Sequence, residues 1–340
     1  MTGPVRKALK NICSEISAAT LVDEHSKKID LLDHTVILVK SVMKNQELTD
    51  IAMENGISKS QLSKINMKRQ YQLFVEMFYS LVYPYIMAHN YAIYRRFISI
   101  IGIDSTFIRT RIKESGKYRR QKTENGIKMH SASITFPFTL PLESSVTPAN
   151  LNDSPEFEGI LSGIDPDLLR ESILTFDLGY YDLERFRELK NRYIRFVTRI
   201  KRNASYVVEK EYSHSKIIRF RNGLTLRLVS LTIEGKQRGY VTDIMDMPDI
   251  YIHYIYQKRW SIEIFFRTMK SYLKLDHIIS KRINGIMVQI FTALIAYLVL
   301  IMIQDMLASY MGIPDMIRLI RHNIQLPLKS AGHAVKATAI

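Results

Sequence analysis

Two aspartates stand where apolar runs stop. Asp104 follows the β-branched run Ile98, Ile100, Ile101, Ile103 and precedes Ser105-Thr106. Asp177 follows the apolar run 172–176 and precedes Leu178-Gly179. Taken singly, each reads equally as a helix cap or a turn former. Taken together they suggest a site, because ligands of mixed sheets gather at strand ends where the connections diverge. Two carboxylates on adjacent strands repel by about 1–4 kcal/mol at 4 Å, depending on the local dielectric. A hard divalent cation relieves that repulsion, and oxygen ligands suit Mg²⁺ or Mn²⁺.

A third acid lies far along the chain. Glu263 is isolated between residues 250 and 275, among Lys258, Arg259, Arg267, Lys270 and Lys274. On one helix, Tyr256, Arg259, Glu263 and Lys270 share a narrow polar stripe. Ile255, Ile262, Phe265, Phe266 and Met269 occupy the adjoining arc, which is the face to be buried. The stripe therefore borders the core, and its basic neighbours keep Glu263 ionised. The alternative is an ordinary i,i+4 ion pair with Arg259 or Arg267, contributing a few tenths of a kcal/mol.

These residues need strands and helices to place them. Residues 1–95 read as helical, with Ile29, Leu32, Val36, Val39 and Met43 at helical spacing and a second such run over 73–86 broken at Pro84. From residue 97 the pattern becomes β: a strand up to Asp104, a second over 128–136, a turn at Pro137-Phe138-Thr139, and a third over 140–146. Ser154-Pro155-Glu156 reads as a helix start with Ser154 as N-cap. A fourth strand covers 172–176, Asp182 caps a helix, and a fifth strand covers 194–197. Residues 203–248 alternate β-formers between turns at Arg221-Asn222-Gly223 and Glu234-Gly235. One long helix is expected over 249–275, then an apolar one over 287–303. This is a mixed α/β layout.

Composition narrows the partners. The 340 residues carry 48 Lys+Arg against 33 Asp+Glu, a net charge of +15 that favours a polyanion, either nucleic acid or an anionic membrane surface. The single cysteine, Cys13, excludes an internal disulfide framework and suits a reducing compartment. The histidines form no HExxH pair, which argues against a zinc hydrolase. No signal-peptide pattern is visible, and the 287–303 segment reads as a buried helix rather than a membrane span. A cytoplasmic protein is expected.

The run Tyr256-Gln-Lys-Arg259-Trp260-Ser-Ile-Glu263, followed after six residues by Lys270, resembles the Y-(2)-R-(3)-E-(6)-K signature of IS4-type DDE transposases. Ile101-Gly-Ile-Asp104-Ser-Thr is similar to the first acidic motif. Phe176-Asp177-Leu-Gly-Tyr180 is similar to the second, and Val197-Thr-Arg-Ile-Lys-Arg-Asn203 to the strand after it. Gly126-Ile-Lys-Met-His130 and the loop from Val146 to Ser154 match the hairpin between. The likeness covers roughly residues 95–305. It implies an RNase H-like mixed sheet flanked by helices, with a small β insertion at 203–248 and a helical N-terminal region. Catalytic residues 96–202 and 249–305 would form one domain, followed by a 306–340 tail. It further implies that Asp104, Asp177 and Glu263 are catalytic and hold two Mg²⁺ ions (Mn²⁺ as a substitute). Cleavage and strand transfer at the ends of an insertion element would follow, performed by a homodimer on double-stranded DNA in the nucleoid. Tyr256, Arg259 and Lys270 would hold phosphates, and Trp260 would stack on an unpaired base.

Outside that core, the basic run 109–128 (with Arg119, Arg120 and Lys128) and the group around Lys201 are expected to follow a phosphate backbone. Residues 48–66 read as a helix-turn-helix with Gly56 in the turn and Ser58, Lys59, Ser60, Gln61 and Lys64 facing a groove; a plain helical hairpin fits equally. Two other readings remain at this point: a transposase-derived DNA-binding protein without activity, and a membrane-associated basic protein.

Overall fold

Ile101, Ile103, Ile173, Leu174 and Phe176 are buried completely, as expected of strands covered on both faces. They belong to the centre of a mixed sheet. The structure, a computed structural model, describes residues 29–89, 98–112, 119–121, 124–307 and 311–322. It divides into two compact units: residues 1–88, 108–127 and 266–340 in one, 89–107 and 128–265 in the other.

The sheet comprises β1 (Ser99–Arg109), β2 (Arg119–Gln121), β3 (Glu124–Phe136), β4 (Leu140–Pro148), β5 (Ser172–Phe176), β6 (Arg195–Arg199), β7 (Tyr206–Glu211), β8 (Ser215–Phe220), β9 (Thr225–Ile233) and β10 (Lys236–Thr242). Its main order is β4-β3-β1-β5-β6-β10-β9-β8-β7, and β2 pairs with the start of β3. The three central strands β1, β5 and β6 are parallel. The β insertion is antiparallel and extends this same sheet, because β10 pairs directly with β6. Its turns use the left-handed backbone at Gly223, Glu234 and Gly235, as the Asn-Gly and Glu-Gly sequences predict.

Helices α5 (Glu156–Ser162), α6 (Pro166–Glu171), α7 (Leu183–Asn191) and α8 (Asp249–Lys258) pack on these strands. The Asp182 carboxylate caps α7 by accepting from the Glu184 and Arg185 N–H groups. Arg227, buried on β9, donates to the Met247 carbonyl at 2.6 Å and pairs with Asp249. The insertion thereby holds the start of α8.

Four expectations need correction. β1 does not end at Asp104; it continues to Arg109 beside β3, as the Thr110 N–H to Asn125 carbonyl bond at 3.1 Å shows. Residues 249–275 form two helices, α8 and α9 (Trp260–Ser271). At the junction the Arg259 N–H donates to the Tyr256 carbonyl and the Ile262 N–H to the Arg259 carbonyl, both i→i+3 bonds that tighten the turn. Lys274 lies beyond the second helix at φ 64°, a left-handed conformation that stops helical propagation. Ser154 is not an N-cap: Pro155 takes that position, and the Ser154 carbonyl and hydroxyl accept from Arg185 instead.

The fourth correction concerns the other unit, a set of helices. α1 (Leu31–Lys44), α2 (Leu48–Glu54), α3 (Lys59–Lys68), α4 (Gln72–His89), α10 (Ile283–Met306) and α11 (Ile313–His322) belong to it. Pro84 does not break α4, which runs through it. Buried contacts on either side, such as Phe78 against Phe291 and the Tyr85 hydroxyl to Asp305, offset the one backbone bond that proline removes. α10 is long and apolar enough to cross a membrane, and 83% of its most apolar window is buried inside the protein.

Gly102 on β1 shows how tightly the sheet receives α9. A Cβ there would lie 2.8 Å from Thr135 Cγ2 and 3.7 Å from Ile262 Cβ. Gly102→Ala is expected to lower stability by about 1–3 kcal/mol through overpacking, seen as a lower denaturation midpoint at an unchanged m-value.

Candidate active site

The parallel register of β1 and β5 pairs Ile100 with Ile173 and continues to Ile103 with Phe176. Asp104 and Asp177 are the next residues on their strands. Identical stagger therefore brings the two carboxylates to the same level at the carboxyl end of the pair. Asp177 is steadied by the Gly179 N–H, which donates to its Oδ1 at 2.8 Å. Asp104 Oδ1 accepts from the Ser105 N–H at 2.8 Å. Ile262 sits over the bare backbone of Gly102, so the adjoining Glu263 reaches the same place from α9.

Arg259 joins two of the three acids. Its Nη1 donates to Asp104 Oδ2 at 2.6 Å, and its Nη2 donates to Glu263 Oε1 at 2.6 Å. The i,i+4 pair expected as the ordinary reading of Glu263 is present, and the second arm of the same guanidinium adds a contact between residues remote in sequence. The Asp104 and Arg259 side chains are only 16% and 13% exposed, so water screens this pair weakly. Among the described residues, no three His, Cys, Asp or Glu side chains stand close enough together to form a metal-binding group. The guanidinium occupies the cationic position between Asp104 and Glu263.

Burial pushes the Asp104 carboxyl up to about 6. Arg259 and the Ser105 N–H oppose this, while the negative charges of Asp177 and Glu263 add to it. All three acids are thus close enough to sense one another. Burial acts to lower the Arg259 value, but Asp104, Tyr256 and Glu263 outweigh it and hold the guanidinium above its ordinary value.

The surrounding residues divide in their placement. Tyr256 lies beneath Arg259, with the guanidinium carbon 5.7 Å from the ring centroid. Trp260 is 56% exposed. Lys270 is half-buried on α9, about two turns beyond Glu263. Lys128 is not a free phosphate ligand: its Nζ donates to Asp153 at 2.9 Å and to the Leu151 carbonyl at 2.7 Å. Lys201 Nζ lies 4.8 Å from the Tyr181 ring centroid. The side chains of Arg119 and Arg120 lie outside the described residues, as do Lys113, Lys117, Lys122 and Cys13.

Sequence reasoning missed a support layer. Tyr180 is 1% exposed, and its hydroxyl is raised above the ordinary range by burial and by Asp153, Asp104 and Asp177. Arg185 donates to the Tyr180 carbonyl at 2.6 Å and to the Ser154 carbonyl at 2.8 Å, and stacks over Phe157. It ties the loop carrying Asp153 to the turn carrying Asp177. The available signal was position alone: Tyr180 ends the second acidic motif run, and Arg185 follows it on the next helix.

The folded protein holds the Asp104 proton more tightly than an unfolded chain, whose aspartates titrate near 3.9. With no cation bound, the Asp104 contribution to stability is therefore greatest below about pH 4 and declines as pH rises towards 6. Carboxyl NMR should show Asp104 titrating near 6, and Arg259→Gln should move it higher still.

The transposase DDE domain family model matches residues 95–299, a span containing all three acids. A protein of Synechocystis named as a transposase for insertion sequence element IS4SA is 25% identical over 284 residues, covering 79% of this chain and 78% of that one. A Geobacillus stearothermophilus protein named as a transposase for element IS5377 is 25% identical over 196 residues, covering 53% of this chain and 50% of that one. The chain thus spans most of the first relative and half of the second. Its mixed sheet flanked by helices agrees with an RNase H-like architecture. By the extent of that match, and with its acids on neighbouring parallel strands and the following helix, the chain belongs to the family of transposase DDE domains.

Proposed function

We propose that the chain cleaves DNA at the ends of an insertion element and transfers the freed strand to a target, with Asp104, Asp177 and Glu263 as the catalytic acids. The observation that carries this reading is the Arg259 guanidinium bridging Asp104 on β1 to Glu263 on α9, with Asp177 following the parallel strand β5 in matching register. Asp104, raised chiefly by burial and further by the charges of Asp177 and Glu263, offers oxygen donors together with those two acids, and hard oxygen ligands suit Mg²⁺ or Mn²⁺. The same three carboxylates would hold two such ions. When bound, the ions supply Lewis acidity to the attacking and leaving oxygens of an in-line phosphodiester displacement.

The protein's own groups do the positioning. Arg259 exchanges its carboxylate partners for a phosphate oxygen, a bidentate geometry equally suited to either. Tyr256 supports the guanidinium from below. Trp260 offers an exposed ring to a base lifted from the duplex end. Lys270 adds positive charge further along α9. Residues 96–202 and 249–305 form the catalytic part of this reading, residues 203–248 the insertion, and residues 1–95 the part that meets the element's ends. The resemblance implies that two copies pair the two ends, acting on DNA in the cytoplasm.

Asp104→Asn, Asp177→Asn and Glu263→Gln should each reduce metal-dependent cleavage of an end-bearing duplex by at least about 100-fold, more than the loss of an outer-shell partner. Duplex binding in a gel-shift assay should remain. Wild-type cleavage rates in all three variants would remove the assignment.

A further inference from the structure

The helical unit carries an exposed basic surface of its own. α2 and α3 are joined through Gly56 at φ +65°, a left-handed turn that lets two short helices pack across each other. Ile51, Ala52, Leu62 and Ile65 form the joint core of this pair. The Ser58 hydroxyl caps α3 by accepting from the Gln61 N–H at 3.1 Å. Lys59, Lys64 and Lys68 remain exposed on α3.

The chain returns to this helix more than 200 residues later. Asn284, at the start of α10, donates to the Met67 and Arg69 carbonyls and accepts from the Tyr71 N–H. This clamp sets the segment before α10 against the end of α3. A cavity of about 570 Å³ lies between them, bordered by Ser63, Asn66 and Met67 on one side and Ser280, Lys281 and Arg282 on the other. The ionisable residues lining it, Lys274, Lys281 and Arg282, are all basic. Lys274 is committed to the Gln46 carbonyl at 2.7 Å. Lys281 and Arg282 are exposed, and neither they nor Lys59, Lys64 and Lys68 form an ion pair among the described residues. On α2, Glu54 pairs with Lys44 and accepts from Gln46, and Asp50 accepts from the Glu47 N–H.

We propose that α3 together with the Lys281-Arg282 pair forms a duplex-DNA docking surface, in which α3 enters a groove and Lys281 and Arg282 hold the flanking phosphates. Five unpaired cations without an interleaved acid complement a polyanion, and a capped helix with an exposed face fits a major groove. The inference rests on the reading of the chain as a DNA-end enzyme and adds a surface built from two distant parts of the sequence. It makes Lys281 and Arg282 part of end recognition although they lie beyond the glutamate helix.

The test uses the full chain and a labelled duplex copied from the DNA bordering the coding region. Binding is followed by fluorescence anisotropy across a salt series. Five phosphate contacts correspond to a log–log salt slope of about −4.5 from this surface. Lys281→Ala/Arg282→Ala should reduce the magnitude of the slope by about 1.8, as should Lys59→Ala/Lys64→Ala. Lys281→Arg/Arg282→Lys should restore it, and the thermal melt of each variant should match the wild type. An unchanged slope in both alanine pairs, with folding intact, overturns the docking surface. Asp104→Asn separates the two readings: lost cleavage with an unchanged salt slope keeps the catalytic assignment whatever the alanine pairs show. Absence of any duplex binding by the wild-type chain removes both.

Discussion

The site is governed by repulsion between carboxylates that the fold forces together. β1 and β5 run parallel in register, so Asp104 and Asp177 cannot separate without breaking the ladder that buries Ile101, Ile103, Leu174 and Phe176. Glu263 adds a third negative charge from above. In a weakly screened setting such a cluster is unfavourable unless protons or a cation compensate it. Both forms of compensation are visible. Burial, with the charges of Asp177 and Glu263 added to it, raises the Asp104 carboxyl towards its protonated form, and Arg259 bridges it to Glu263. The tension that makes the site costly to fold also makes it receptive to positive charge.

Much of the remaining architecture serves to hold that cluster in place. Gly102 admits α9 to the sheet by leaving no side chain under Ile262. Arg227 spans from the insertion to the segment before α8, satisfying carbonyls that would otherwise be buried unpaired. The strands at 203–248 therefore belong to the mechanics of the site as an extension of the central sheet. Arg185 performs the matching task on the other side, joining the Asp177 turn to the loop of Asp153. Lys128 is drawn into this support and away from solvent by Asp153.

Local sequence was most informative where one residue type has few alternatives. β-Branched runs gave strands near their observed places, Asp182 read correctly as a cap, and the buried arc of Ile255, Ile262, Phe265, Phe266 and Met269 is the observed one. It failed where tertiary contacts outweigh local preference. Pro84 was read as a break because its missing N–H is a local fact, whereas the packing that carries α4 through it is not. Asp104 was read as a strand end because charge is rare in buried strands, yet β3 continues beside β1 past the point where β5 stops.

From the amino acids alone one could determine that three acids occur at the ends or edges of core-forming segments, that bases surround the last of them, and that the chain seeks a polyanion. These are matters of residue type and spacing, which periodicity and charge expose directly. Strand stagger, the choice of Arg259 as the bridging cation, the engagement of Lys128 by Asp153 and the meeting of α3 with Lys281 and Arg282 were decided only by the tertiary structure. Each depends on which of several available partners comes within hydrogen-bonding distance. That selection is made by packing between residues remote in the chain, and no local pattern encodes it.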